Sequence, residues 1–333
     1  MNIRVVVLGG GTWGSTMASL AARNARTMLW ARRSEIVTEI NTRHTNERYL
    51  PGATLAEALV ATDSLEAAVE QADVMVMAVP SHAFRQTLEA AALYMRPWIP
   101  VVSLTKGLEQ GSNLRMTQIV EEVLPGHPAG VLTGPNLAHE IVSGQAAASV
   151  VAMHDPHVAE VLQRVFASDL FRVYTNDDVV GCEVAGATKN VIAIASGIAD
   201  GLETGDNTRA AVITRGLAEL SRFGLAMGGR PETFAGLAGM GDLIATCINP
   251  HSRNRWVGEQ LGRGRPLEEV LGELDYVAEG VRAASAIMEL AAQLGLDLPI
   301  CAEMDAVLNH GRAAQEAYRG LLRRSANPSV PHR

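Results

Sequence analysis

The chain has 333 residues, enough for about two domains, and its 47% hydrophobic and 19% charged residues support large cores and argue against global disorder. A net charge of −8 without a dense basic stripe argues against nucleic acid or an anionic membrane as the main partner. Three widely spaced cysteines, and no apolar run of the length of a membrane span or signal peptide, predict a cytoplasmic protein with reduced thiols and no metal.

The first 180 residues alternate short apolar runs with segments of helical length. Strands are predicted at Ile3–Leu8, Thr27–Trp30, Leu59–Thr62, Asp73–Val79, Pro100–Leu104, Ala129–Leu132, Ala147–Ala152 and Phe171–Tyr174. Helices are predicted at Thr12–Asn24, Ser34–Thr42, Ser64–Gln71, His82–Tyr94, Asn113–Val123 and Pro156–Phe166, with Ser34 as an N-cap. This alternation predicts an α/β fold, a Rossmann-type doubly wound parallel sheet over residues 1–180.

Strand signals fade after residue 180, and long segments rich in Ala, Leu, Ile and Val follow at helical spacing. These segments are Glu183–Ala199, Thr208–Phe223, Gly280–Leu294 and Ala302–Arg323. Residues 181–324 are therefore predicted to form an all-helical substrate-binding domain. Residues 325–333 are expected to form a disordered tail.

A glycine turn, Gly9-Gly10-Gly11-Thr12-Trp13-Gly14, follows the first predicted strand and opens the first predicted helix. Gly9 permits a tight turn, Gly11 lets the backbone approach a pyrophosphate, and Gly14 lets helix and strand pack closely. The helix start also points N–H groups at the anion. In this context the turn predicts a bound dinucleotide, although a glycine-rich structural turn is the alternative.

The end of the second strand in such a fold selects the cofactor. NAD sites place a carboxylate there to hold the ribose hydroxyls. This chain has Arg32 and Arg33 at that point, and guanidinium groups suit a 2′-phosphate. NADP is therefore favoured over NAD, although both arginines could simply be solvated and Glu35 could still reach a ribose.

The only two lysines among 28 basic residues are Lys106 and Lys189. Lys189 lies within a predicted helix, and its neighbours three and four positions away are small or apolar and cannot pair with it. A sheltered lysine can act as a general acid or base, whereas arginine does not deprotonate. Lys106 follows the strand Pro100–Leu104, at the sheet edge where open α/β sheets bind ligands. Either lysine could instead be an ordinary surface charge.

Two further segments of the helical half carry candidate chemistry. Gly239-Met240-Gly241 is expected to be a flexible turn that presents Asp242. His251–Arg255 groups cations with Ser and Asn, which suit the oxygens of a phosphate. The alternative for this second segment is a basic helix start on the surface.

Together these residues closely resemble bacterial NAD(P)-dependent glycerol-3-phosphate dehydrogenases. The matching elements follow the family's order over residues 3–310: the glycine turn, Val79-Pro80-Ser81-His82, Thr105-Lys106-Gly107-Leu108-Glu109, Gly134-Pro135, Lys189-Asn190, Gly239-Met240-Gly241-Asp242, Ser252-Arg253-Asn254 and Glu279-Gly280. One departure is Asn136-Leu137, where the family often reads Ser-Phe. Asn136 can still donate a hydrogen bond in place of the serine.

The resemblance implies the reversible reduction of dihydroxyacetone phosphate to sn-glycerol 3-phosphate by NAD(P)H, supplying phospholipid synthesis. It implies that Lys189 exchanges a proton with the substrate and that Lys106 and Asp242 orient and polarise the reacting group. The implied substrate ligands are Lys106, Gly134, Asn136, Lys189, Asp242, Ser252, Arg253 and Asn254. The implied cofactor contacts are Gly9, Gly11, Thr12, Trp13, Gly14, Arg32, Arg33, Lys106, Ala138, Arg253, Val277 and Glu279.

The resemblance further implies a homodimer that acts on a small phosphorylated substrate. Two other functions remain open at this point. A 3-hydroxyacid or 6-phosphogluconate-type dehydrogenase shares the glycine turn and a helical lysine, but the Ser252–Asn254 segment favours glycerol phosphate. A non-catalytic NAD(P)-binding regulator would need no lysine at position 189.

Overall fold

The computed structural model of the protein describes residues 2–274 and 278–324. Residue contacts divide the chain into two compact units. The first comprises Met1–Lys106 and Leu114–Glu183, and the second comprises Gly107–Asn113 and the chain from Val184 onwards. The predicted division after residue 180 stays a prediction, and no feature of the pattern indicates that Gly107–Asn113 belongs with the second unit. The predicted tail 325–333 lies outside the described residues.

The first unit is a sheet with alternating helices. Its strands are β1 Arg4–Leu8, β2 Arg26–Trp30, β3 Val60–Thr62, β4 Val74–Met77, β5 Val101–Ser103, β6 Ala129–Thr133, β7 Ala147–Met153 and β8 Phe171–Asn176. Its helices are α1 Thr12–Ala22, α2 Ser34–Arg43, α3 Leu65–Val69, α4 Ser81–Ala92, α5 Met116–Val123, α6 Ala138–Val142 and α7 Pro156–Phe166. The strand order is β3-β2-β1-β4-β5-β6-β7-β8, and this confirms the Rossmann-type doubly wound fold.

Two apolar cores lie against this sheet because its strands are covered on both faces. Val5 and Val7 of β1 belong to one core, while Val6 and Leu8 belong to the other. Strands buried on both faces read as continuous apolar runs, which is why the short runs predicted these strands well.

The prediction of a wholly parallel sheet is wrong at one pair, because β7 runs antiparallel to β6. The connection between them contains only the five-residue helix α6. Such a helix rises about 7 Å, whereas a strand the length of β6 spans about 16 Å. The helix is therefore too short to carry the chain back along the sheet for a parallel pairing. Ser34 is also not the N-cap of α2, since Arg33 occupies that position.

From Val184 onwards, the described part of the second unit is helical. Its helices are α8 Val179–Gly201, which begins in the first unit, and α9 Asp206–Ala226, α10 Pro231–Ala235, α11 Asp242–Ile248, α12 Arg253–Gly262, α13 Leu267–Gly272, α14 Glu279–Gln293, α15 Pro299–Asn309 and α16 Ala314–Arg324. The prediction of one continuous helix over Ala302–Arg323 is wrong, because the helical conformation is interrupted between α15 and α16. Gly311 adopts φ +69° at this break, a conformation that ends helices.

α8 is long and apolar enough to cross a membrane by length and composition, but 94% of its apolar 18-residue stretch is buried inside the protein. Ile192 and Ala193 of this helix pack with Leu220, Phe234 and Leu243 in the core of the second unit. Its burial is what a core helix requires, and its apolar composition follows from that position.

Candidate active site

The predicted cofactor turn connects β1 to α1. Gly9 has φ +125°, and a Cβ there would lie 2.6 Å from the carbonyl oxygen of Ala78, so only glycine fits. A Cβ on Gly14 would lie 1.9 Å from the Gly9 oxygen, so the helix passes directly over the turn. Gly11 faces open space and is the N-cap of α1 without a capping side chain. The backbone of this turn can therefore approach a pyrophosphate, and the cofactor fits.

Two side chains beside the turn lie where the resemblance places cofactor contacts. Thr12 Oγ1 donates a hydrogen bond to the carbonyl oxygen of Tyr49 at 3.1 Å. The ring of Trp13 packs edge-on against Phe171, with 6.5 Å between the ring centroids. Its indole Nε1 is buried and finds no acceptor among the described residues. A buried donor without an acceptor is costly, and a bound ligand would satisfy it.

Asn46 also supports the turn, although no motif in the sequence indicates it. This side chain is fully buried, and its Nδ2 donates to the Gly10 oxygen at 3.0 Å and to Ser15 Oγ at 2.8 Å. These hydrogen bonds span more than 30 residues. No spacing pattern could have indicated them.

Arg32 and Arg33 lie just beyond the end of β2, where cofactor selection is expected. Both side chains are exposed. Neither guanidinium has a hydrogen bond or ion pair within the described part of the chain. Glu35 is also exposed, in the first turn of α2. The geometry thus leaves both arginines available for a phosphate.

Lys106 follows β5 and is partly buried. Its Nζ donates a hydrogen bond to the carbonyl oxygen of Gly134 at 3.0 Å. Thr105, the preceding residue, donates through Oγ1 to the carbonyl oxygen of Val79 at 2.6 Å. The structure therefore brings together two of the predicted substrate ligands, Lys106 and Gly134, at the ends of neighbouring parallel strands.

Asn136 and Ala138 lie in the segment that follows β6. Both polar side-chain atoms of Asn136 are buried, and neither has a partner within the described residues. Buried polar atoms without partners are costly, and a bound ligand would satisfy this amide. Ala138 is partly buried and begins α6.

Lys189 is buried within α8, with 6% of its surface exposed. Its Nζ lies 2.7 Å from Asp242 Oδ1 and 2.6 Å from Thr246 Oγ1, both on α11. The neighbours along the helix are therefore only part of the surroundings of this lysine. The residues along α8 cannot pair with this lysine, but another helix supplies a carboxylate that is 2% exposed. Burying two charges is tolerated only when they pair, as they do here.

The segment before Asp242 is not the flexible turn that was predicted. Leu237–Gly241 forms a π-helical turn that runs directly into α11. π-helical turns within helices often occur at functional sites. The sequence analysis also missed Thr246, although its position four residues after Asp242 places both side chains on one face of a helix.

Cys247 follows Thr246 and is completely buried. Burial raises the pKa of this thiol to about 12. A thiol with such a pKa stays protonated near neutral pH and does not act as a nucleophile.

Ser252, Arg253 and Asn254 form the start of α12. Ser252 is the N-cap, and its Oγ accepts a hydrogen bond from the N–H of Arg255 at 3.4 Å. The hydroxyl proton remains available to an anion, and Arg253 is exposed at the first helical position. A helix N-terminus with a hydroxyl and a guanidinium suits a phosphate.

Asn254 differs from its two neighbours because it is buried. Its Nδ2 donates to Asn190 Oδ1 at 3.0 Å, and its Oδ1 accepts from the N–H of Gly280 at 3.0 Å. Glu279, a predicted cofactor contact, is partly buried and begins α14. Val277, also a predicted cofactor contact, lies outside the described residues.

The predicted residues therefore fall into two groups. The first unit holds the glycine turn, the two arginines, Lys106 and the segment from Gly134 to Ala138. The second holds Lys189, Asp242, the Ser252–Asn254 segment and Glu279. Within the described ranges, no group of three His, Cys, Asp or Glu side chains could hold a metal ion.

Models of one protein family match both parts of the chain. Residues 4–159 match the family model of the NAD-dependent glycerol-3-phosphate dehydrogenase N-terminus. Residues 178–319 match the model of the C-terminus of the same enzymes. Together these two matches cover nearly the whole chain.

Individual relatives extend this similarity over the full length. The chain is 57% identical over 325 residues to glycerol-3-phosphate dehydrogenase [NAD(P)+] 2 of Sphingopyxis alaskensis, covering 98% of each chain. It is 57% identical over 320 residues to the enzyme of Mycobacterium avium, covering 96% and 94%. The crystal structure of glycerol-3-phosphate dehydrogenase from Coxiella burnetii superposes with a TM-score of 0.92 at 35% identity, covering 96% and 99%. The resemblance drawn from the motifs is confirmed, and the chain belongs to the NAD(P)-dependent glycerol-3-phosphate dehydrogenase family.

Proposed function

We propose that this chain catalyses the reversible reduction of dihydroxyacetone phosphate to sn-glycerol 3-phosphate by NAD(P)H, with Lys189 as the general acid and base. Family membership supports the reaction. The observation that supports the role of Lys189 is its burial beside Asp242 Oδ1 at 2.7 Å and Thr246 Oγ1 at 2.6 Å. A chain that otherwise uses arginine for positive charge keeps a lysine at this point.

Lys189 supplies the proton that reduction requires. Bound NAD(P)H would supply the hydride for the ketone carbon, and the carbonyl oxygen would then need a proton. The ammonium group of Lys189 donates a proton to that oxygen, and in the reverse direction the neutral amine takes the proton back. The Asp242 carboxylate holds the ammonium in place, and Thr246 fixes its direction through the second contact. Buried hydrogen bonds of this kind restrict the lysine to few conformations.

Lys106 contributes charge rather than a proton. Its ammonium is fixed on the carbonyl oxygen of Gly134 at 3.0 Å, which limits its movement. A fixed positive charge near a developing alkoxide stabilises the transition state more than the ground state. Gly134 and Asn136 are proposed to orient the substrate beside it, and the unsatisfied amide of Asn136 supports that role.

The phosphate of the substrate is proposed to bind at the start of α12. The hydroxyl of Ser252, the guanidinium of Arg253 and the N–H groups of the helix N-terminus are the donors. Charge-assisted hydrogen bonds from a guanidinium are about twice as strong as neutral ones. This site accounts for a phosphorylated substrate in an acidic protein.

The cofactor is proposed to bind over the glycine turn of the first unit. Gly9, Gly11 and Gly14 admit the pyrophosphate, while Arg32 and Arg33 accept the 2′-phosphate and favour NADPH over NADH. The remaining proposed contacts are Thr12, Trp13, Lys106, Ala138, Arg253, Val277 and Glu279. We further propose that the chain acts as a cytoplasmic homodimer and supplies glycerol phosphate for phospholipid synthesis.

A steady-state assay with purified enzyme tests the reaction. Oxidation of NADPH and of NADH is followed with dihydroxyacetone phosphate, and the same assay is run with 3-oxoacid substrates of related dehydrogenases. We expect turnover with dihydroxyacetone phosphate alone and a higher kcat/KM with NADPH. Turnover with the carboxylate substrates in its place would overturn the proposal, and a strong NADH preference would overturn the role of the two arginines.

A further inference from the structure

The carboxamide of Asn254 joins three helices of the second unit. It donates to Asn190 Oδ1 of α8 and accepts from the N–H of Gly280 of α14, both at 3.0 Å. Asn254 is 9% exposed and Asn190 is 5% exposed. Buried hydrogen bonds of this kind fix the relative placement of the groups they join. We call Asn190, Asn254 and the Gly280 N–H the asparagine clasp.

The clasp continues a close contact between α8 and α12. A Cβ on Gly258 would lie 2.0 Å from the carbonyl oxygen of Ile194, and one on Gly262 would lie 2.5 Å from that of Ile198. These pairs are 64 residues apart in the chain, and Asn190 and Asn254 share that separation. The two helices therefore run parallel in one register, with the asparagine pair one turn before the glycine contacts.

The third helix, α14, also packs against α8 too closely to leave room for a side chain. A Cβ on Gly280 would lie 2.6 Å from the carbonyl oxygen of Asn190. The Gly280 N–H belongs to the first turn of α14, where helices leave N–H groups unsatisfied. Asn254 satisfies this one from another helix.

Each member of the clasp directly follows a residue of the proposed site: Asn190 follows Lys189, Asn254 follows Arg253, and Gly280 follows Glu279. We propose that the clasp positions the proton donor, the phosphate ligand and the cofactor ligand relative to one another, so that Asn254 is a positioning residue as well as a member of the phosphate site. This inference rests on the proposed function, because that function gives the three neighbours their roles.

The hydrogen-bonding capacity of Asn254 is largely taken up by the clasp. A carboxamide has one oxygen and two N–H groups. The clasp uses the oxygen and one N–H, so at most one N–H remains for a substrate phosphate. Arg253 and Ser252 provide more donors at the same helix start, and they lie where an anion has access.

A double-mutant cycle of Asn190→Ala and Asn254→Ala in the full-length enzyme tests the clasp. We measure kcat, the KM for dihydroxyacetone phosphate and, without substrate, the Kd for NADPH. Each single variant should lower kcat/KM about tenfold, and the double variant should be no worse than the poorer single variant, because both break one unit. Asn254→Ala should also weaken NADPH binding, because it releases the Gly280 N–H beside Glu279.

Asn309→Ala is the matched control, since this exposed asparagine of α15 also bonds within the second unit, to Asp305 Oδ1 at 2.7 Å. It should leave all three constants unchanged. If an alanine variant does not fold, the double-mutant cycle is repeated with Asn190→Ser and Asn254→Ser, which leave a hydroxyl in the cavity.

Two results would overturn the clasp. One is that the losses in kcat/KM multiply in the double variant. The other is that Asn254→Ala raises only the KM for dihydroxyacetone phosphate and leaves the Kd for NADPH unchanged, as expected of a direct phosphate ligand. Failure of the proposed function would look different, because wild-type enzyme would then not turn over dihydroxyacetone phosphate. The clasp would in that case still be tested, because the effects of the two alanine substitutions on the Kd for NADPH and on the free energy of unfolding should not add.

Discussion

The cofactor turn and the Lys189 site are built in different ways. The turn depends on three glycines within six residues. Gly9 and Gly14 have no room for a Cβ, and Gly11 leaves open space where the pyrophosphate is proposed to bind. Lys189 depends on partners 53 and 57 residues away in the chain. A local motif can be recognised in a sequence, whereas a site assembled by tertiary packing cannot. Substitutions should therefore affect the two regions in different ways, and the following predictions test that difference.

The largest loss of stability should come from the lysine site. Asp242→Asn leaves the buried ammonium of Lys189 without its carboxylate, and breaking a buried pair costs about 3–5 kcal/mol. We expect this loss in the free energy of unfolding, measured with denaturant, together with a lower kcat. Asp206→Asn is the matched control, because it breaks an exposed pair with Arg209 that is worth at most about 1 kcal/mol. Equal effects of the two substitutions would contradict a buried, coupled pair.

Two glycine substitutions separate folding from binding in the cofactor turn. Gly14→Ala places a Cβ 1.9 Å from the Gly9 oxygen. Such overpacking costs about 3 kcal/mol and should weaken NADPH binding about 100-fold. Gly11→Ala meets no atom within 4 Å, so its unfolding midpoint should match that of the wild type. Its NADPH affinity should nevertheless fall, because the Cβ points where the pyrophosphate is proposed to bind. If calorimetry gave an unchanged NADPH affinity for Gly11→Ala, the turn would not be part of the cofactor site.

The glycine contact between α8 and α12 should tolerate no side chain. Gly258→Ala places a Cβ 2.0 Å from the Ile194 oxygen and should cost about 1–3 kcal/mol. Thermal unfolding measures this loss, and Gly272→Ala is the control, because no atom lies within 4 Å of its Cβ. Because the same helices carry Lys189 and Arg253, kcat/KM should fall as well. A stable variant with normal kcat/KM would show that the close helix contact does not support the site.

The smallest effect should be on cofactor choice. Arg32→Ser should raise the Kd for NADPH about tenfold, since one charge-assisted hydrogen bond contributes about 1.5 kcal/mol. The Kd for NADH should not change, because it has no 2′-phosphate. Arg23→Ser, at the C-terminal end of α1, serves as an exposed control. If Arg32→Ser weakened the binding of NADPH and NADH equally, the arginine would contact a part that both cofactors share and not the 2′-phosphate.

Sequence patterns predicted the fold of the first unit well because its central strands are short apolar runs and segments of helical length separate most of its strands. They did not predict the antiparallel β7, which follows from the short α6 rather than from the pattern of the strand itself. Gly311 was a visible signal for the break between α15 and α16, but the apolar spacing on either side of it suggested one continuous helix.

The candidate site was predicted unevenly for the same reason. Composition singled out Lys189, since lysine is rare in this chain. The resemblance, rather than the local pattern, connected this lysine with Asp242. Thr246, Asn46 and the two hydrogen bonds of Asn254 were not predicted, because each depends on hydrogen bonds to distant parts of the chain.

Replacement of Lys189 tests the central claim most directly. Lys189→Met keeps an unbranched side chain without a proton to donate, and Lys189→Arg keeps the positive charge beside Asp242 but does not deprotonate. Both variants should bind NADPH with near-normal Kd, because the glycine turn is untouched. Both should lower kcat for dihydroxyacetone phosphate about 10²–10⁴-fold, the usual contribution of a general acid. Near-normal kcat in a folded Lys189→Met variant would contradict the account, and loss of kcat in Lys189→Met alone would assign Lys189 a role as charge rather than as proton donor.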